Sequence, residues 1–192
     1  MRITVELQGT SPLLMHNPQM VDPNFEANRQ IKVLTAKRKK TDEDLRQIEQ
    51  LEWHGGLYSE NGVVVQPTSK VRKCLINTGK ISKQGKMVER AVSFEGMNVP
   101  LVYKGQKSLD KLATDPEFQS RLSVGIGNKR VMRMRPKFFP WALSVTGLFV
   151  IDAGLNFDEF ERLVELGGLV EGIGDNRVNG YGRFIGTVKE IK

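Results

Sequence analysis

The chain has 192 residues and a formal net charge of +7, from 29 Lys and Arg against 22 Asp and Glu. One cysteine excludes a disulfide framework and a cysteine-rich zinc site, and two histidines leave few ligands for a transition metal. No stretch approaches the roughly 18 apolar residues of a membrane span. Met1–Thr10 alternates polar and apolar residues, which is not the pattern of a signal peptide. We therefore expect a cytoplasmic protein with no cofactor, no bound metal and no membrane partner.

The positive charge is concentrated in three clusters, at Lys37–Lys40, Lys70–Arg90 and Lys129–Lys137. The acidic residues gather elsewhere, at Asp42–Glu52 and Asp152–Glu165. A surface that binds a polyanion needs basic residues along the path of the phosphates, so this segregation favours nucleic-acid binding. Any one cluster is equally typical of a solvated loop or helix face. The case depends on all three, which occur in segments that also contain glycine and aromatic residues.

In chain order, Arg2–Leu7 alternates with a period of two and is rich in β-branched residues, which predicts a half-buried strand. The basic run Lys37–Lys40 is assigned to a helix that begins near Asn24. Thr41 and Asp44 have the spacing of a capping box, which predicts a second helix through Trp53.

The next third of the chain predicts a basic helix and two short strands. Pro67 precedes a helix over about Lys70–Thr78, which Gly79 is expected to end. Lys80–Arg90 reads as a basic loop, and the strands are expected around Ala91–Phe94 and at Val99–Tyr103.

The last third predicts a short helix at Asp115–Leu122 and then a basic hairpin or extended arm at Ser123–Lys137. Trp141–Ile151 is the most apolar strand, a helix follows over Phe157–Leu166, and the chain ends with a strand at Arg183–Ile191. Apart from the insertions, strands and helices alternate, which is compatible with an α+β fold of the ferredoxin-like type. That fold is an antiparallel sheet with helices on one face. We expect a single domain over 1–192, with a helical insertion at about 18–56 and an arm inserted at about 80–138.

The most informative motif joins the last helix to the last strand. Between Gly172 and Phe184, two Gly-x-Gly pairs bracket five residues that include Arg177, and Gly186 follows. Backbone amides in such a turn, with Arg177 and Arg183 beside them, can cradle phosphate groups. Each short piece alone is also typical of ordinary turn chemistry.

As a whole this motif resembles the C-terminal glycine-rich loop of the RAMP superfamily of CRISPR-associated proteins. Two departures stand out: the last glycine is displaced, and Glu171 is polar where the pattern prefers an apolar residue. The resemblance implies RRM-like ferredoxin domains that bind RNA, often as backbone subunits of guide-RNA complexes in antiviral defence. It also implies side-by-side homo-oligomers or filaments, with other effector subunits as partners. By this resemblance, Ser123–Lys137 is a candidate thumb, and the helix after Pro67 is a candidate for the first helix of the palm that follows the phosphates.

The candidate site combines the basic residues of these segments with aromatic residues, of which Phe138 and Phe139 are the best candidates to stack on a base. The candidate nucleic-acid contacts are Lys70, Arg72, Lys73, Lys129, Arg130, Arg133, Arg135, Lys137, Phe138, Arg177, Tyr181 and Arg183. The glycines assigned to the loop are Gly172, Gly174, Gly180, Gly182 and Gly186.

Three functions remain open on the sequence. The first is a non-catalytic protein that binds single-stranded nucleic acid, with RNA favoured over DNA and guide RNA as one candidate strand. The second is a metal-independent endoribonuclease with His16 as the catalytic base, since an imidazole can accept the proton of a 2′-hydroxyl. The third is a protein-only structural or adaptor protein of a phage or mobile element. The first is favoured, so an enzyme is the less expected outcome.

Overall fold

The computed structural model describes residues 1–127 and 129–191, and it leaves the side chains of residues 126 and 129 undescribed. The strands are β1 (Arg2–Gly9), β2 (Leu13–Leu14), β3 (Ser59–Glu60), β4 (Val63–Pro67), β5 (Val92–Phe94), β6 (Asn98–Pro100), β7 (Val102–Tyr103), β8 (Gln119–Ile126), β9 (Lys129–Phe138), β10 (Trp141–Phe149) and β11 (Phe184–Ile191). The helices are α1 (Glu26–Ala36), α2 (Asp42–Gly56), α3 (Thr68–Ile81), α4 (Gly85–Ala91), α5 (Leu109–Thr114) and α6 (Phe157–Leu166). Within the described ranges, no helix has the length and apolar character needed to cross a bilayer.

The chain divides into two compact units. The first consists of residues 1–13, 63–104 and 139–192, and the second of residues 14–62 and 105–138. The two segments of the second unit overlap the two insertions predicted from the sequence, whereas 80–104 belongs to the first unit.

The first unit contains an antiparallel sheet, the central sheet, in the order β11-β1-β10-β5, with β7 also paired to β10. Numbered by their place in the chain, its four main strands follow the order 4-1-3-2. Helix α3 precedes the second of these strands and α6 precedes the fourth, which is the ferredoxin-like arrangement. The predicted fold class is therefore confirmed.

One face of the central sheet forms the core of the first unit. In β1, Ile3, Val5 and Leu7 are buried, while the residues between them turn to the opposite, more exposed face. Helix α6 packs on the buried face, and it begins with a capping box between Asn156 and Glu159. The alternation in the strands and the apolar stripe of the helix thus specify the same layer.

Two predictions for the basic segment of the first unit are wrong. Helix α3 does not end at Gly79, because that glycine packs against α4, where an added Cβ would lie 2.9 Å from Val88 Cγ2. The segment Lys80–Arg90 is not a loop but contains α4. Its buried Val88 and Ala91 are too few to produce a clear helical period in the sequence.

In the second unit, α1 and α2 share an apolar cluster of Ile31, Leu34 and Ile48. The capping box predicted at Thr41 is present, with the Asp44 N–H donating to Thr41 Oγ1 at 3.2 Å. The basic run does not belong to α1, which ends at Ala36, so Lys37–Lys40 form the link between the two helices. Lys37 pairs with Asp44 at 2.5 Å, and this hydrogen bond holds the pKa of the Asp44 carboxyl below its ordinary value.

The predicted basic arm is an antiparallel hairpin of β8 and β9, in which Ser120 pairs with Arg135 and Leu122 with Arg133. The helix predicted over Asp115–Leu122 is wrong. Asp115 caps only a 3-10 turn, accepting from the Glu117 N–H at 2.9 Å, and β8 begins at Gln119. The short helix of this region is instead α5, just before that turn.

Candidate nucleic-acid interface

The glycine-rich segment of the first unit is a loop in which two stretches of backbone pass close to each other. The Ile173 N–H donates to the Gly182 carbonyl at 3.0 Å. A Cβ on Gly182 would overlap the Ile173 carbonyl oxygen, and a Cβ on Gly172 would lie 2.8 Å from the Gly182 carbonyl oxygen. Both residues also have a positive φ, which is 69° at Gly172 and 68° at Gly182. Glycine is therefore required at positions 172 and 182, because two stretches of the loop backbone pass too close there for a side chain.

The link after β1 holds this loop in place. Ser11 Oγ donates to the Gly180 carbonyl at 2.8 Å and accepts from the Arg183 N–H at 2.8 Å. The Gly182 N–H donates to the Pro12 carbonyl at 2.8 Å. The sequence gives no signal for these contacts, because Gly-Thr-Ser-Pro indicates only the end of a strand.

Gly186, assigned to the loop from the sequence, lies within β11 instead. A Cβ at that position would lie 2.6 Å from Val164 Cγ1 of α6, so this glycine allows the helix to approach the sheet. Its displacement from the RAMP pattern agrees with this packing role.

The loop borders a cavity of about 450 Å³. Its walls include Glu171, Asp175, Asn176, Arg177 and Arg183. Arg183 donates from Nη2 to the Arg177 carbonyl at 3.2 Å, while its Nη1 is buried and has no hydrogen-bond partner among the described residues.

Glu171 connects the loop to helix α3. Its Oε1 accepts from Asn77 Nδ2 at 2.8 Å and also from Arg177 Nη1. Lys80 Nζ in turn donates to Asn77 Oδ1 at 3.1 Å. The residue that departs from the RAMP pattern is thus the residue that fixes Arg177, a role that the sequence alone did not indicate.

Helix α3 presents a stripe of polar residues toward this connection, which we call the α3 stripe: Lys70, Lys73, Asn77 and Lys80. Their spacing of three and four residues places them on one side of the helix. Arg72 lies outside the stripe, because its guanidinium donates to the carbonyls of Val92 at 3.1 Å and Glu89 at 2.6 Å. The α3 stripe and the loop cavity together form the loop surface.

The thiol of Cys74, on the inner side of the same helix, is unsuited to nucleophilic chemistry. Burial raises its pKa to about 12, and the Glu171 carboxylate adds to this effect. Cys74 is the small core residue that its place in the helix predicts.

Helix α2 neutralises two arginines of the basic hairpin in the second unit. Arg133 pairs with Glu52 at 2.5 Å, and Arg121 pairs with Glu49 at 2.5 Å. Glu52 is only 3% exposed and also accepts from the Met134 N–H at 2.7 Å. The acidic and basic segments, separate in the sequence, therefore meet in the fold.

The other predicted contacts of the hairpin differ in their exposure. Arg135 is only 9% exposed and donates to the Met134 carbonyl at 3.3 Å, so the prediction that the β9 arginines face phosphate is wrong for this residue. Arg130 is exposed and donates from Nε to Ser123 Oγ at 3.0 Å. Lys137 is half-buried, and the side chain of Lys129 lies outside the described part of the structure.

The stacking prediction for Phe138 is wrong. Its ring is 0% exposed and packs edge-on against Phe118, with ring centroids 5.7 Å apart. A base cannot reach a fully buried ring, whereas the neighbouring Phe139 is 51% exposed. Tyr181, the other aromatic candidate, is half-buried in the glycine-rich loop.

His16 lies between β2 and the following 3-10 turn, where its carbonyl accepts from the Tyr58 hydroxyl at 3.0 Å. Its side chain is half-buried. Over residues 1–127 and 129–191, the structure contains no group of three or more His, Cys, Asp or Glu residues arranged to hold a metal ion.

The sequence matches no family model and no curated protein. The fold is similar to that of a chain in the cryo-electron microscopy structure of the type III-B Cmr-beta bound to cognate target RNA. That likeness has a TM-score of 0.53 at 11% identity and covers 100% of this chain and 60% of that chain. The crystal structure of Cmr4 matches over 100% of both chains, with a TM-score of 0.43 and 11% identity. The likeness to the Cmr-beta chain supports the α+β fold, and this chain spans about three fifths of that chain's length.

Proposed function

We propose that this protein is a non-catalytic single-stranded nucleic-acid-binding protein that prefers RNA to DNA. The observation that carries the proposal is the Lys80–Asn77–Glu171–Arg177 chain of hydrogen bonds, which joins the α3 stripe to the loop cavity. Lys73, Arg177 and Arg183 therefore belong to one surface, although more than 100 residues separate Lys73 from Arg177 in the sequence. Cations spread along one surface can follow the phosphates of a strand.

Binding on this surface is directed at phosphate groups and tolerates different sequences. Lys70, Lys73, Lys80, Arg177 and Arg183 supply the cations. The half-buried Tyr181 lies beside these groups in the chain. The hairpin, with its exposed Arg130, acts as a thumb-like arm.

The biological role we propose is that of a backbone subunit in a CRISPR-type or phage ribonucleoprotein. Copies would bind side by side along a guide RNA, together with other effector subunits. Two facts support this proposal: the similarity of the fold to a chain from a structure with bound target RNA, and the RAMP-like form of the glycine-rich loop.

The test is fluorescence anisotropy with labelled single-stranded RNA and DNA of the same sequence over a range of salt. Neutralising about four phosphates predicts a slope of log K against log salt of about −3 for a single strand. The double variant Lys73→Ala, Lys80→Ala should weaken binding and make this slope shallower by about 1.4, because two fewer phosphates are neutralised.

The matched control is Lys32→Ala, Lys39→Ala, which removes the same charge from exposed positions in the second unit. It should change the slope little. Binding of the unmodified protein that does not depend on salt would contradict the proposal, as would equal losses in the two double variants.

A further inference from the structure

The end of helix α6 and the π-helical turn that follows it, Gly167–Glu171, carry apolar side chains on their exposed face. An amphipathic helix normally buries its apolar residues and exposes its polar ones. Here the buried positions are occupied by Gly167 and Gly168, whereas Leu166 and Leu169 are exposed, and Leu169 is 70% exposed. The pattern at the end of α6 is therefore the reverse of the one that packing alone favours.

Close packing explains the two glycines. A Cβ on Gly168 would overlap the Phe184 carbonyl oxygen of β11, and a Cβ on Gly167 would lie 3.1 Å from Thr78 Oγ1 of α3. The exposed leucines have no such explanation, because an apolar side chain left in water adds nothing to the stability of the fold. Exposed apolar side chains that are grouped together are typical of an interaction surface.

The two leucines line a groove of about 400 Å³ in the first unit. Ser82 and Gln84, which follow α3, also line it, as do Arg162 and Glu165 of α6. Arg162 and Glu165 are both exposed, and neither forms an ion pair with another of the described residues. The α6 patch is the name we give to the groove together with Arg162, Glu165, Leu166 and Leu169.

The charge of α6 argues against a nucleic acid or an anionic membrane on this surface. The helix contains a single basic residue, Arg162, against four acidic residues: Asp158, Glu159, Glu161 and Glu165. An acidic surface repels phosphate groups, and helices that lie on membranes carry Lys and Arg on their polar face. The chemistry that fits the α6 patch is that of a protein surface with apolar side chains and charges of both signs.

The α6 patch itself has this chemistry, so a second copy of the chain fits it. Arg162 and Glu165 are three residues apart on the same exposed face of the helix. Two α6 helices that pack antiparallel about a twofold axis place Arg162 of each copy beside Glu165 of the other. A twofold contact requires this kind of reciprocity, in which each residue of a pair contacts the other type across the axis.

We propose that the α6 patch is a twofold interface between two copies of this chain. Leu166 and Leu169 form its apolar centre, and Arg162 and Glu165 form two symmetric ion pairs at its rim. A twofold contact closes on itself and cannot extend along a strand. The interface is therefore distinct from the side-by-side contacts of the proposed function, and it forms without RNA.

The first test is sedimentation velocity of the RNA-free protein over a range of concentrations, in which we expect a monomer–dimer equilibrium. Leu169→Glu places a charge at the apolar centre and should raise the dissociation constant at least about tenfold. The matched control, Met97→Glu, places the same charge at another exposed apolar position of the first unit and should change the constant less than about threefold. Thermal melting checks that both variants are folded.

The second test uses the symmetry of the interface. In a dimer of Arg162→Glu each new carboxylate faces Glu165, and in a dimer of Glu165→Arg each new guanidinium faces Arg162. Each variant alone should dimerise at least about tenfold more weakly than the unmodified protein, because like charges meet. An equimolar mixture of the two should form a heterodimer within about threefold of the unmodified affinity, because both pairs are then of opposite charge.

Four results would overturn the inference. The first is a monomer at every concentration, and the second is a mass that grows beyond the dimer, since the contact would then not close. The third is a Leu169→Glu variant that dimerises like the control, and the fourth is a mixture that associates as weakly as its two components. None of these results bears on the proposed function, which the salt dependence of RNA binding tests separately.

Discussion

The basic hairpin and the loop surface have similar charge in the sequence but are built differently. In the hairpin, Arg121 and Arg133 each pair with a glutamate of α2, and Arg135 is buried. In the loop surface, Glu171 pairs with Arg177, whereas no ion pair within the described residues involves Lys73. The hairpin uses Arg121 and Arg133 to attach itself to α2, and the loop surface leaves Lys73 for a ligand.

This difference shows that separation of charge along the chain does not imply separation in space. The acids of Asp42–Glu52 and the bases of Lys129–Lys137 form distinct blocks in the sequence, yet α2 brings Glu52 within 2.5 Å of Arg133. A net charge by segment therefore overestimates the positive field of the hairpin. The ion pairs, rather than the number of basic residues, decide which surface attracts a polyanion.

The largest effect should come from Glu52→Ala, which tests the structural role of the hairpin arginines. The change removes the partner of Arg133 and leaves the buried Met134 N–H without its acceptor. The Arg133 side chain is 31% exposed, so the main loss is the buried N–H left without an acceptor, and the free energy of unfolding in urea should fall by about 3 kcal/mol.

Glu49→Ala is the matched control for this prediction. Its partner Arg121 is mostly exposed, so the loss should be below about 1 kcal/mol. Similar losses in the two variants would show that the pair between Glu52 and Arg133 is no stronger than a surface ion pair.

A smaller loss of stability, joined to a loss of binding, should follow Gly182→Ala in the loop surface. The added methyl group would overlap the Ile173 carbonyl oxygen in a backbone with a φ of 68°, so the loop must open. We expect a loss of about 2 kcal/mol or more in unfolding free energy and at least a tenfold loss of RNA affinity. Chemical denaturation and anisotropy measure the two effects.

Gly180→Ala is the control, because it adds backbone strain at a positive φ without a steric clash. Gly180 also has a positive φ, of 83°, but nothing lies within 4 Å of an added Cβ. This variant should lose only about 1 kcal/mol and keep its RNA affinity. If both variants lose binding equally, the crossing at Gly182 is not what shapes the cavity.

The sequence predicted the central sheet and its layer of helices because each strand alternates and each main helix has a clear apolar period. The capping box at Thr41 placed the start of α2 correctly. Helix α4 was missed because its seven residues bury too few side chains to produce a period. Local patterns thus predict elements that are long and half-buried.

The candidate site was less predictable, because its geometry depends on contacts between distant residues. Ser11 holds Gly180 and Arg183 across more than 160 positions, and Asn77 reaches Glu171 across 94. Phe138 follows a basic strand and reads as accessible, yet the fold buries it. A single sequence contains the residue types of a surface but not the pairings that decide which side chains are left to bind.

The smallest expected effect concerns Glu171, whose pair with Arg177 makes the loop surface resemble the hairpin. In the free protein its carboxylate occupies Arg177, so a phosphate that binds Arg177 must replace it. Glu171→Gln keeps an oxygen that can accept from Asn77 and removes the competing charge. RNA affinity at moderate salt should then rise about two- to fivefold, and the slope of log K against log salt should become steeper by about 0.7, since one more phosphate is neutralised.

Glu165→Gln makes the same change of charge at an exposed position of α6 and should leave the slope unaltered. An equal rise in both variants would mean that only the net charge matters. A fall in affinity for Glu171→Gln would mean that the carboxylate positions Arg177 for the phosphate rather than competing with it. The second result would place Glu171 with the glutamates of α2, as a structural partner of its arginine, and would remove the contrast between the two basic regions at this residue.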